Sequence, residues 1–197
     1  METLQTPSRM AVHRGAITLL EAAIYIVLAL VVVTFAMTQG GGLFNRNDAS
    51  TEFSNSAELM NNARSMLKTS GIYNFSGADD MTGALIQFGG APANMTVVGT
   101  KSSGTAKLQN VWGGAVTLQP VATSGGQKST FSVTTASVPQ EACIMIATKM
   151  SAAPNVVTTQ VNGTTNNGPV PANAVGTQCT ADNGAVGQNS LTFTSNT

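Results

Sequence analysis

The feature that most constrains this chain is an apolar run near its beginning with a single carboxylate set into it. No charged residue occurs from Ala22 to Phe44, and the heart of the run is AAIYIVLALVVVTFAM, residues 22–37. With Ala16–Leu20 before it, the run approaches the ~20 residues a helix needs to cross a bilayer. Glu21 stands inside it. An ionised carboxylate in hydrocarbon is costly, so one retained there marks a functional site unless it merely lies at the membrane–water interface. The burial argument alone leaves those two readings even.

The flanks narrow the possibilities. Residues 1–15 are short and polar, with Arg9, His13 and Arg14. A basic flank before an apolar run reads as an export signal or membrane anchor whose basic end stays in the cytoplasm. No small-x-small cleavage site is well placed between the run and the polar chain; Gly40-Gly41-Gly42 is a weak candidate. The run therefore reads as retained. Each interior Gly costs a helix roughly 0.5–1 kcal/mol relative to Ala. The three glycines predict a helix that breaks or melts easily, giving a flexible joint; a plain linker after an anchor is the alternative.

Composition excludes several function classes. Charged residues make up 9% of the chain, against a usual share of about 25%. Formal net charge is zero, so a nucleic-acid binder working through dense Lys and Arg has no support. The only His is His13, in the leader, which removes Ser-His-Asp and Cys-His catalysis from the remaining chain. There is no P-loop, no nucleophile elbow and no zincin motif. Asp79 and Asp80 are adjacent and cannot face each other as a catalytic pair, so a turn or cap role is expected. Neither a cofactor nor a metal site is predicted, and the chain does not read as an enzyme. In an exported protein, Cys143 and Cys179 read naturally as one disulfide. It would close a loop of about 37 residues and stabilise by roughly 3–4 kcal/mol. Two unrelated buried thiols are the alternative.

Beyond the run, Asn45–Ser70 predicts an amphipathic helix with Phe53, Ala57, Met60, Ala63 and Leu67 on its apolar face. Glu52 near its start and Lys68 near its end suit the helix dipole, and Gly71 suits its stop. Ala84–Phe88 predicts a short helix or strand. Strands are predicted at Met95–Val98, Val116–Gln119, Thr130–Thr134 and Leu191–Thr194. Trp112, the only Trp, reads as a core or turn-packing residue. Val138–Met150 predicts a helix, with Pro139 in its first turn and Glu141 at its positive end. Ser151–Asn189, rich in Asn, Thr, Gly and Pro, reads as a surface loop region pinned by Cys143–Cys179.

Arg14-Gly15-Ala16-Ile17-Thr18-Leu19-Leu20-Glu21 resembles the processing and assembly signature of type IV prepilins, in the T-L-L-E form of the type IVb branch. Val111-Trp112-Gly113-Gly114-Ala115-Val116-Thr117 is similar to the W-G-G-x-V-T segment of several type IVb pilins. The resemblance implies cleavage by a prepilin peptidase between Gly15 and Ala16, which makes Glu21 sixth. Cleavage between Ala16 and Ile17 would instead make Glu21 fifth, the family's usual position. It also implies N-methylation of the new terminus and pairing of Glu21 with a neighbour's terminal ammonium, which fixes axial register.

The fold expected is α+β. A long N-terminal helix, apolar then amphipathic, packs on an antiparallel sheet head with a disulfide-bounded C-terminal region. Residues 1–15 would be leader, 16–44 the transmembrane or filament-core helix with its Gly40–Gly42 joint, and 45–197 the head. The function implied is the major subunit of a type IVb-like pilus serving adhesion, aggregation or cell–cell contact. The alternatives are a minor pilin, a type II secretion pseudopilin, or a membrane-anchored periplasmic binding module that does not polymerise. Implied partners are further copies in a helical filament, the prepilin peptidase, the assembly machinery and the inner membrane before export, with no nucleic acid evident.

Overall fold

The computed structural model describes the backbone of residues 19–197 and the side chains of residues 22–31 and 46–197. Helix α1 spans Leu19–Leu67 and α2 spans Ala78–Gln87. Strand β1 (Thr96–Val98), a 3-10 turn (Lys101–Ser103), β2 (Lys107–Gln109), β3 (Ala115–Val121) and β4 (Thr130–Val138) follow. Helix α3 (Gln140–Ser151), the β5 (Val156–Val161) and β6 (Thr164–Asn167) hairpin, α4 (Ala172–Gln178) and β7 (Asn189–Ser195) complete the chain. The chain divides into two compact units, Met1–Gly41 and Gly42–Thr197.

Within the second unit, seven strands form one antiparallel sheet in the order β1-β2-β3-β4-β7-β5-β6. The last strand of the chain thus lies in the middle of the sheet, between β4 and β5. Strict alternation explains how: in β7, Asn189, Leu191, Phe193 and Ser195 are buried while Ser190, Thr192 and Thr194 are only half-buried. Register then stacks core residues across the strands, Leu118 beside Val133, Val133 beside Phe193, and Phe193 beside Thr159. The opposite face is a threonine surface, on which Thr134 and Thr192 join hydroxyls at 2.9 Å. Tyr73 and Phe131 meet edge to face at 5.0 Å in the same core.

Pro120 sits inside β3 without disturbing the ladder. β2 pairs with β3 only at Ala115 and Val116, so the missing N–H of Pro120 costs no strand bond. The open edge beside it is satisfied by a helix side chain: Thr82 of α2 accepts from the Leu118 N–H at 2.9 Å. Gly83 next to it is obligatory, since a Cβ there would lie 1.8 Å from the Gly104 carbonyl oxygen.

Helix α1 is the long helix expected, apolar then amphipathic, and the half predicted at Asn45–Ser70 ends at Leu67, ahead of Gly71. Its backbone is helical through Gly40–Gly42. Its buried face is wider than the periodicity suggested: Ala49, Leu59, Met60, Ala63 and Leu67 are in the core, while Phe53 and Ala57 are only partly buried against it. Because the helix starts so early, Glu52 is not near a helix N-terminus, and its side chain is fully buried.

Ser151–Asn189 also departs from expectation, since it is not a loop region. It holds β5, β6 and α4. The hairpin turn is Asn162-Gly163, both with positive φ (49° and 89°), the combination that matches strand twist in a two-residue hairpin. The disulfide forms as expected, joining Cys143 on α3 to Cys179 after α4 with Cα atoms 6.1 Å apart.

Candidate assembly site

Gly15, Ala16 and Ile17 lie outside the described residues. Glu21 lies in the first turns of α1, and its side chain also lies outside the described residues. What can be described of the apolar run is its surface. Ile24, Tyr25, Ile26, Val27, Leu28, Leu30 and Val31 are each 52–60% exposed. Consecutive positions on a helix point in every direction, so this helix is apolar all round. Such a surface is stable only in lipid or against other apolar helices. Among the described residues no helix is long and apolar enough to cross a membrane; residues 32–45, the second half of the run, have no described side chains.

The amphipathic half of α1 carries an unusual group. Asn55 donates to Oε2 of buried Glu52 at 3.4 Å, and Oε1 has no hydrogen-bond partner. Burial raises its pKa from 4.5 to about 7, against smaller lowering effects from Asn55 and the backbone of Val111. One turn on, the Ser56 hydroxyl is also buried without a partner, as is the Trp112 indole N–H.

Trp112 belongs to a turn that Asn110 organises. Asn110 Oδ1 accepts from the Trp112 and Gly114 N–H groups at 3.1 and 2.7 Å. Its amide donates to Thr135 Oγ1 at 2.9 Å and to the Ala136 carbonyl at 2.7 Å. The two glycines of W-G-G do different jobs. Gly113 takes φ +77°, and a Cβ on Gly114 would lie 1.9 Å from the Ala136 oxygen. Trp112 is half-buried against the core, as a packing residue should be. Sequence reasoning did not single out Asn110; its signal was an Asn three residues before a Gly pair at the mouth of a strand.

The C-terminal half of the head is tied down polarly as well as by the disulfide. Asp182 Oδ1 accepts from the Gln140 N–H at 2.8 Å, capping the start of α3. Asn189, buried in β7, donates to the Val138 and Thr180 carbonyls and accepts from the Thr180 N–H at 2.6 Å. Glu141 pairs with Arg46 at 2.9 Å; with side chains 52% and 73% exposed, that pair contributes little.

Nothing in this arrangement resembles a reaction centre. Asp80 accepts from the Ser76 N–H and hydroxyl at 2.8 and 3.0 Å, which holds its pKa below the ordinary carboxylate value. It closes the entry to α2, as the cap reading expected. A cleft of about 520 Å³ opens beside it, with Asp79, Thr105 and Lys107 in its lining. No cluster of metal-ligating side chains occurs among the described residues.

Residues 46–196 match the family described as PilS N terminal. The crystal structure of type IVb pilin from Salmonella typhi is similar to this chain with a TM-score of 0.65 and 39% identity, covering 73% of this chain and 97% of that one. The NMR structure of type IVb pilin (PilS) from Salmonella typhi is similar with a TM-score of 0.51 and 38% identity, covering 75% of this chain and 95% of that one. No curated protein sequence matches.

Proposed function

The chain belongs to the type IVb pilin family, and from that premise we propose that it is the major subunit of a type IVb-like pilus. It is a structural pilin subunit, not an enzyme. The observation that carries the assembly reading is the all-round apolar exposure of α1 from Ile24 to Val31. Before assembly, inner-membrane lipid covers that surface. Afterwards, equivalent helices of further copies do, and the filament stands outside the cell. Small residues Ala22, Ala23 and Ala29 allow close approach between helices.

Maturation precedes this. Prepilin peptidase cuts between Gly15 and Ala16, or between Ala16 and Ile17, and the new terminal amine is methylated but stays charged. Glu21 leaves lipid for a protein core and pairs there with a neighbour's terminal ammonium. The pair offsets part of the desolvation cost and fixes register more than it stabilises. The Gly40–Gly42 stretch, where the two compact units divide, is where α1 opens most readily on entry to the filament. Adhesion, aggregation or cell–cell contact is the filament's task.

Two measurements test the proposal. Mass spectrometry of the mature N-terminus should find a methylated chain beginning at Ala16 or Ile17; one beginning at Met1, or beyond Gly42, would exclude it and favour an anchored binding module. Glu21→Ala should abolish filaments in electron micrographs of sheared surface material while the subunit still accumulates folded in the membrane. Normal filaments from that mutant would contradict the register role. Wild-type filaments built mainly of another chain would point to a minor pilin or a pseudopilin.

A further inference from the structure

The chain contains three Asn-Gly pairs, Asn162-Gly163, Asn167-Gly168 and Asn183-Gly184. An Asn followed by Gly is chemically unstable in water, because no Cβ shields the next backbone nitrogen. That nitrogen loses its proton and attacks the Asn Cγ; a C–N bond forms, the Cγ–Nδ2 bond breaks, and ammonia leaves. Water then opens the resulting succinimide at Cγ, giving Asp, or at the backbone carbonyl carbon, giving isoaspartate. All three pairs are equivalent in sequence, and the fold separates them.

Asn162 is held on every side. Its amide donates to the Gln178 carbonyl at 2.9 Å and to Asn189 Oδ1 at 2.8 Å, and its Oδ1 accepts from the Ser190 N–H at 2.9 Å. The Cγ cannot turn toward Gly163 without breaking that network. Asn167 lies in β6, paired with Thr158, and the attacking nitrogen, that of Gly168, donates to the Val157 carbonyl at 3.2 Å. Asn183 has neither protection. It is exposed, its side chain makes no hydrogen bond among the described residues, and the Gly184 N–H donates to none of them. It occupies a turn in which Asn183 and Val186 exchange backbone hydrogen bonds.

We propose that Asn183-Gly184 is the site at which this subunit deamidates spontaneously, with water as the only co-reactant. The product places a second carboxylate directly beside Asp182, whose Oδ1 caps Gln140 at the start of α3, and in the isoaspartyl form adds a backbone atom to the loop between Cys179 and β7. The subunit gains one negative charge at that loop as it ages.

Peptide mapping of the intact, disulfide-bonded full-length chain after incubation in mildly alkaline buffer tests this. Fragmentation that distinguishes Asp from isoaspartate should show deamidation at Asn183 about tenfold or more faster than at Asn162 and Asn167. The reduced, denatured chain should show the three sites within a few-fold of one another. Equal or faster reaction at Asn162 or Asn167 in the folded chain would overturn the proposal. So would an Asn183 that stays intact while the denatured chain reacts.

Discussion

At the scale of single residues, two positions expose a conflict between local chemistry and the fold. Glu52 ionises readily in an unfolded chain and is buried without a partner for Oε1 in the folded one. Its folded pKa, about 7, lies above the unfolded 4.5, so the folded state binds more protons between those values. Stability contributed by this group is therefore complete below about pH 4.5 and lost as pH rises through about 7, a span worth about 3 kcal/mol. Glu52→Gln should remove that slope. Guanidinium unfolding at about pH 5 and about pH 8 checks it, and an unchanged slope in the variant would assign the pH dependence elsewhere. The W-G-G pair gives a second test. Gly114→Ala drives a Cβ into the Ala136 carbonyl and should cost about 3 kcal/mol, as severe overpacking does. Gly113→Ala meets open space and carries only the positive-φ penalty, about 1 kcal/mol. Thermal melts should rank them in that order; the reverse ranking would mean that the Asn110 turn relaxes freely.

At the scale of elements, the region from Ser151 to Asn189 shows what was legible and what was not. Val156–Val161 is rich in Val and Thr, and Asn162-Gly163 follows it, which together are a strong local hairpin signal. The polar composition around it concealed the signal. Helix α4 had almost none, being seven residues with Val175 as its only buried side chain; tertiary contacts, not propensity, hold it. The Cys143–Cys179 bond supplies much of that hold. Replacing both cysteines with Ser should cost about 3–4 kcal/mol. Hydrogen exchange should rise first in α4 and the loop before β7, while the β3–β4 ladder stays protected. Uniform loss of protection would show that the C-terminal half is not a separate layer of stability. Helix α1 teaches the opposite lesson. Three consecutive glycines predicted a helix that breaks or melts easily; the described backbone is helical through them, because a local cost of roughly 0.5–1 kcal/mol per Gly weakens a helix without forbidding it.

At the scale of the whole molecule, the division between Gly41 and Gly42 separates an apolar segment from a unit with its own core. Residues 42–197 expressed alone should therefore fold in water, with the disulfide formed and the near-UV circular dichroism of a packed Trp112; a molten spectrum would mean that the head depends on the apolar half of α1. The sequence by itself determined the features written in one stretch of chain: the apolar run, its lone carboxylate, the W-G-G turn, the helix of α3 and the α+β class, because periodicity and turn chemistry are local. Which cysteines pair needed no geometry, there being only two. Only the tertiary structure decided that β7 enters the middle of the sheet, that Asn110 governs the W-G-G turn, that Glu52 is buried and that Asn183 stands unprotected, because each depends on which distant backbone arrives beside it. Glu21, the residue that set the first constraint, belongs to a third class: the partner proposed for it is the terminal ammonium of another copy, which a single chain would not supply.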